Sequence, residues 1–181
     1  MHHTKRNLGF LLLIVFTAVQ LAATIDRDHL HTDQQLQERI LTFKKGGVEK
    51  MIDTVNYDKE VVIGYAKSLL HVPHKMGGYS QSGVDCSGLV KLAHAQSGIV
   101  LPHSSHEQAR YGRMISADQE LKRGDLVFFH STYKTSNLVT HSGIYLGENE
   151  FIHTSNANGV SISPVHSGYW REHYLFATRL K

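Results

Sequence analysis

The stretch Ser82-Gly83-Val84-Asp85-Cys86-Ser87-Gly88-Leu89-Val90, continued by Lys91-Leu92-Ala93-His94, decides how this chain is read. Leu89, Val90, Leu92 and Ala93 give a helix its apolar residues, with Asp85 suited to cap its start and Gly98 to end it. That helix begins at the single cysteine of the sequence. Upstream, Lys59 to Leu70 carries Val62, Ile63, Ala66, Leu69 and Leu70 on a second helical stripe, stopped by Pro73 and Gly77-Gly78. Beyond Gly124-Asp125 the period changes to two. Leu126 to Phe129 reads as a buried strand, and His141 to Leu146 with Phe151 to Thr154 as a hairpin around Gly147-Glu148-Asn149. Val160 to Val165 and Leu175 to Leu180 are two further strands. Helices followed by antiparallel strands are an α+β order.

The N-terminus has a different character. Lys5 and Arg6 precede the largely apolar run Leu8 to Val19, and Leu21-Ala22-Ala23-Thr24 offers small residues for cleavage. Residues 1–25 therefore read as a signal peptide, or as a membrane anchor over 8–25 if left uncleaved. Residues 26–57 form a polar extension. In it Leu36, Ile40, Leu41 and Phe43, and after Gly46-Gly47 also Val48, Met51, Ile52 and Val55, have loosely helical spacing. The main domain spans 58–181.

The 181 residues are 41% hydrophobic and 19% charged, which excludes a largely disordered chain. Without Lys5 and Arg6, 17 cations face 16 anions, too small a surplus for a nucleic-acid footprint. One cysteine cannot staple a disulfide scaffold, and an unpaired thiol in an exported chain is a candidate for reactivity.

Chemistry is expected of Cys86, His141 and His153. Cys86 falls in the first turn of its helix, where the macrodipole favours thiolate, while Asp85 beside it opposes that shift. A cationic imidazole is needed to complete the activation, and His141 is placed to supply it. His153 follows twelve residues later on the next strand, and that even spacing puts both rings on one face of the sheet. Nucleophile, base and orienter are the parts of a cysteine hydrolase. His103 and His106, three apart, lack carboxylate or thiol partners at metal-site spacing, so no metal is expected. His71, His166 and His173 read as surface or turn residues.

The text around these positions resembles the NlpC/P60 cysteine peptidases. The likeness begins at Gly77-Gly78 and Ser82 to Val90, and runs on through Gly98 to Pro102, Ser104-Ser105, Gln108 and Leu121 to Phe129. His141 to Gly147, Phe151 to Ser155, Gly159-Val160 and Tyr169-Trp170 complete it. The resemblance implies a papain-like fold with the nucleophile helix packed on an antiparallel sheet. It also implies a cofactor-free hydrolase of peptide bonds in the peptidoglycan stem, at D-γ-glutamyl–diamino acid or cross-link positions. Such an enzyme is monomeric, binds no nucleic acid, touches a membrane only through an uncleaved N-terminus, and works in the periplasm or outside the cell. Cys86 is then the nucleophile, His141 the base and acid, and His153 the orienter, with Asp85, Ser87 and Ser104 at substrate-binding positions. Two positions depart from the family pattern. His74 stands where a tyrosine usually assists the oxyanion, which makes it the oxyanion candidate beside the Cys86 backbone N–H. His103 stands where an arginine often follows the Leu-Pro pair. The alternatives are an acyltransferase or amidase of related fold, or an inactive wall-binding module.

Overall fold

A computed structural model describes residues 33–115 and 120–180. The expected signal segment, 1–25, lies outside them, and no described helix is long and apolar enough to cross a membrane. The chain divides between Lys44 and Lys45 into two units. The first supplies most of a helix over 33–45 (α1), on which Thr42 Oγ1 donates to the Glu38 carbonyl at 2.9 Å.

In the second unit the helical spacing of 48–55 does not become a helix. Gly47 has a φ of +92°, and Lys50 pairs as a parallel bridge with Tyr111. Lys50 N–H donates to the Arg110 carbonyl at 2.7 Å and Gly112 N–H donates to the Lys50 carbonyl at 3.1 Å. Pairing with a neighbouring segment satisfies these backbone groups, whereas two turns of isolated helix would carry an unfavourable nucleus.

Helix α2 (Lys59–Ser68) is capped by Asp58, whose carboxylate accepts from Glu60 N–H, and it buries Val62, Ile63 and Ala66. A hairpin of two short strands, β1 (Tyr79–Ser80) and β2 (Gly83–Val84), leads into α3 (Cys86–Ala95). As expected, Asp85 caps α3, accepting from Gly88 N–H at 2.6 Å. A one-turn helix, α4 (Ser105–Gln108), follows, capped by Ser104. The strands are β3 (Arg113–Ile115), β4 (Leu126–Phe129), β5 (His141–Gly147), β6 (Glu150–Ser155) and β7 (Gly159–Pro164). A short helix α5 (Gly168–His173) comes before β8 (Tyr174–Arg179). Six of the strands pair antiparallel in the order β3-β8-β4-β5-β6-β7, and with the helices this makes the fold α+β. The sequence reading lacked β1, β2, β3, α4 and α5, each too short to carry a period of its own.

Helix α3 packs on β5 and β6, where Leu89, Val90 and Ala93 of the helix and Ile144 and Ile152 of the strands are fully buried. A separate cluster of Ile115, Val127, Phe129, Phe151, Val165 and Ala177 is joined by Tyr145, Trp170 and Tyr174. Leu126 to Phe129 has no exposed residue, which is why that strand reads as an unbroken apolar run. Gly88 fixes how closely the helix approaches the preceding loop. A Cβ there would lie 2.1 Å from the Gly78 carbonyl oxygen, which also accepts from Asp85 N–H at 2.9 Å.

Candidate active site

Cys86 opens α3 and is half-buried at a cleft of about 620 Å³. His74, Asp85, Ser87, His103, Ser104 and His141 line the same cleft, so the fold brings every expected site residue except His153 to the cleft that Cys86 borders. His153 stands behind His141. Register explains this: Ile144 faces Ile152 and Tyr145 faces Phe151, so the two histidines fall on one face of the hairpin. His141 Nε2 and His153 Nδ1 are 3.1 Å apart, and His153 Nε2 and Ser163 Oγ are 3.0 Å apart.

This geometry leaves Nδ1 of His141 as its free ring nitrogen. For Nδ1 to take a proton, Nε2 must carry one, and Nε2–H then donates to His153 Nδ1. The proton of His153 consequently sits on Nε2, which donates to Ser163 Oγ. Aromatic rings hold the pair in place. Trp170 stacks on His141 with centroids 4.9 Å apart and meets His153 edge-on at 4.6 Å, while Phe151 stacks on His153 at 4.5 Å.

Burial dominates the electrostatics. It pushes the His141 imidazole well below its ordinary range, with His153 and His74 acting in the same direction. It brings His153 down to about 4, against a backbone hydrogen bond at Thr154. Although Cys86 keeps some exposure, burial pushes its thiol up, Ser105 and the backbone of Ser142 and Ser87 pull it partway back, and Asp85 adds to the rise. Both shifts favour the uncharged forms, thiol and imidazole. The thiolate expected from the helix dipole is outweighed by desolvation.

Asp85 is engaged on every side. Oδ1 accepts from Gly88 N–H at 2.6 Å and Ser87 Oγ at 2.9 Å, and Oδ2 accepts from Gly77 N–H at 2.9 Å. His103 Nε2 reaches both oxygens, at 3.0 and 3.1 Å, with Tyr79 packed edge-on against its ring. The carboxylate thus ties the Gly77 loop, the first turn of α3 and His103 together, and His103 is the side chain that pairs with it. Ser104 Oγ accepts from Glu107 N–H at 3.4 Å and lines the cleft. His74 is held by a parallel bridge between its backbone and Val84, next to the nucleophile turn.

Five residues at or behind the site had no assigned role in the sequence reading: Ser105, Gln108, Ser142, Ser163 and Trp170. The likeness includes Ser105, Gln108, Ser142 and Trp170 without saying what they do. Ser163 alternates with apolar residues on β7 like any solvent-facing serine, and only the pairing of β6 with β7 brings it to His153.

The chain is matched by the NlpC/P60 family profile over residues 71–179, more than half its length. It is 35% identical over 133 residues to the murein DD-endopeptidase MepS/murein LD-carboxypeptidase of Escherichia coli K12, covering 73% of this chain and 68% of that protein. It is 42% identical over 110 residues to the bifunctional muramidase/DL-endopeptidase CwlT of Bacillus subtilis 168, covering 60% of this chain and 32% of that protein. Among solved structures, an NlpC/P60 family protein from Bacillus cereus ATCC 10987 superposes with a TM-score of 0.63 at 30% identity. That match covers 70% of this chain and 41% of the other, so the chain spans about two fifths of that neighbour's length. The profile, the relatives and the fold agree with the Cys–His geometry, and the chain belongs to the NlpC/P60 family of Cys–His peptidases.

Proposed function

We propose that this protein hydrolyses peptide bonds in the stem of peptidoglycan by thiolate acyl transfer, with Cys86 as nucleophile, His141 as base and acid, and His153 as orienter. The observation that carries the reading is the 3.1 Å contact of His141 Nε2 with His153 Nδ1, because it leaves Nδ1 of His141 for the proton of Cys86 in the shared cleft. Relatives named as a murein DD-endopeptidase and as a muramidase/DL-endopeptidase supply the substrate class.

In the first step the S–H proton passes to His141 Nδ1 while Sγ attacks the scissile carbonyl. The Cys86 backbone N–H and His74 meet the developing oxyanion. The imidazolium gives its proton to the leaving amine, which departs as the carbonyl re-forms in a thioester. Water, deprotonated by the neutral imidazole, then releases the carboxylic acid and restores the thiol. Two neutral partners suit this cycle, since each charge appears only during reaction in a desolvated site. Asp85, Ser87 and Ser104 border the position of the stem peptide. Cys86 and His141 come from one chain, so a monomer suffices. Since peptidoglycan lies outside the cytoplasm, the enzyme acts in the envelope, delivered by a signal peptide at 1–25.

Incubation with purified peptidoglycan should release new amines, and the Cys86→Ala variant should release none. Mass spectrometry of the digested muropeptides identifies the bond cut. Equal release by both proteins would end the cysteine-peptidase reading. Intact-mass measurement of envelope protein should find a chain beginning between about Ala22 and Asp26.

A further inference from the structure

A hydroxyl and amide chain stands behind the Cys86 sulfur and takes no part in the steps above. Ser105 Oγ lies 3.3 Å from Cys86 Sγ and 2.9 Å from Ser142 Oγ. Ser142 Oγ donates to Gln108 Oε1 at 3.1 Å. Gln108 Nε2 donates to the carbonyls of Ser87 at 2.8 Å and Pro102 at 2.9 Å. Ser105, Gln108 and Ser142 are all buried.

The far end of the chain dictates its direction. A backbone carbonyl can only accept, so Gln108 must turn its NH₂ to Ser87 and Pro102 and its Oε1 to Ser142. Oε1 can also only accept, which commits the single hydroxyl proton of Ser142. Two hydroxyl oxygens 2.9 Å apart need a proton between them, and Ser142 has none left. Ser105 must supply it. What Ser105 then offers the sulfur at rest is a lone pair.

We infer that Gln108, acting through Ser142 and Ser105, is a positioning residue that holds Cys86 as a thiol with its S–H directed at Ser105. The inference rests on Cys86 being the nucleophile and describes that nucleophile's resting state. Its proton reaches His141 only when the S–H swings away from Ser105. Once the sulfur is a thiolate, Ser105 can turn its O–H onto it, exchanging the bond to Ser142 for a charge-assisted one. Ser105 lowers the thiol pKa only by that turn. The cleft also presents Asp85, His103, His74, His106, His141 and Tyr133 to this region. These groups are common to the variants below, so differences between variants report the hydroxyl chain.

The chain contains a single cysteine, so an infrared S–H stretch from the full-length protein belongs to Cys86 alone. At neutral pH the wild-type band should be present, lie below the frequency of a thiol without an acceptor, and vanish in Cys86→Ala. Ser105→Ala should move it to higher frequency, because the acceptor is gone. Ser142→Ala frees the Ser105 proton for the sulfur. Alkylation of Cys86 by iodoacetamide should then inflect about one pH unit lower than in wild type. That shift should be absent from the double variant Ser105→Ala/Ser142→Ala. A missing S–H band, a band indifferent to Ser105→Ala, an inflection unmoved or raised in Ser142→Ala, or a downward shift that survives in the double variant each overturns the inference. Should Ser142→Ala not fold, the wild-type and Ser105→Ala bands decide alone. None of these readouts uses hydrolysis, so the nucleophile reading stands or falls separately on the activity of Cys86→Ala.

Discussion

The Cys86 sulfur is backed by hydroxyls and an amide side chain, whereas the His141 and His153 rings are packed among aromatic rings. Ser105 touches the sulfur, and Ser142 and Gln108 complete a hydrogen-bonded chain behind it. Trp170 and Phe151 stack on the imidazoles. Two ways of controlling a proton follow from this contrast. The thiol's proton is directed by hydrogen-bond polarity, which a hydroxyl can reverse by rotation. The imidazoles' basicity is set by desolvation, which changes only if water enters. A nucleophile that must ionise transiently suits the first kind of surroundings, and a base that must stay neutral until it receives a proton suits the second.

The largest expected effects lie where the two surroundings meet. His141→Ala should reduce kcat by several orders of magnitude, as much as Cys86→Ala, because base and nucleophile act as a unit. Thermal unfolding of both variants should confirm that the fold persists. Activity of His141→Ala close to wild type would break the comparison outright, since the aromatic side would then contribute nothing to catalysis.

His74→Phe should lower kcat about ten- to a thousandfold, the range for one oxyanion donor, whereas His74→Tyr should be tolerated. Equal kcat for wild type, His74→Tyr and His74→Phe would place His74 outside the reaction.

On the imidazole side, His153→Ala should cost less than His141→Ala, and His153→Asn less again, because an orienter needs only its hydrogen bond. Ser163→Ala should be milder still, about two- to tenfold in kcat, through loss of one neutral acceptor that fixes the His153 proton on Nε2. A Ser163→Thr variant should recover that loss. If Ser163→Ala proves as harmful as His153→Ala, the serine does more than fix a tautomer.

The smallest effects concern stability and pH. His94, on α3, is held at about 4 by burial, with Nδ1–H donating to the Val90 carbonyl at 2.8 Å and no partner at Nε2. His153 has the same downward shift, and His141 lies well below its ordinary value. A depressed imidazole keeps its full contribution to stability above the unfolded value near 6.5, and loses it as pH falls from there toward the folded value. Acid should therefore destabilise the protein between about pH 6.5 and 4, each group contributing up to about 1.4 kcal/mol per pH unit. Denaturant melts at pH 7 and pH 5 measure the difference. His94→Phe should shrink it without touching the aromatic side of the site, and an unchanged difference would remove His94 from the account.

Much of the architecture was legible in the sequence because it is periodic. The apolar faces of α2 and α3, the alternation in β7 and the unbroken run of β4 announce themselves over one or two turns or a few residues of strand. Even the pairing of His141 with His153 follows from parity across a hairpin. The helical spacing of 48–55 misleads, because partners far along the chain at Arg110, Tyr111 and Gly112 offer its backbone a better arrangement.

By itself the sequence determined the fold class and the family, and it singled out Cys86, His141 and His153 as candidates, since each rests on local period, short-range spacing or a motif of contiguous residues. The tertiary structure alone decided that His103 pairs with Asp85, that Ser163 meets His153, and that Gln108 is hydrogen-bonded among the hydroxyls behind the sulfur. The reason is physical: desolvation and hydrogen-bond direction depend on which groups from distant segments surround an atom, and a linear order of residues does not contain those neighbours until the sheet and helices have packed.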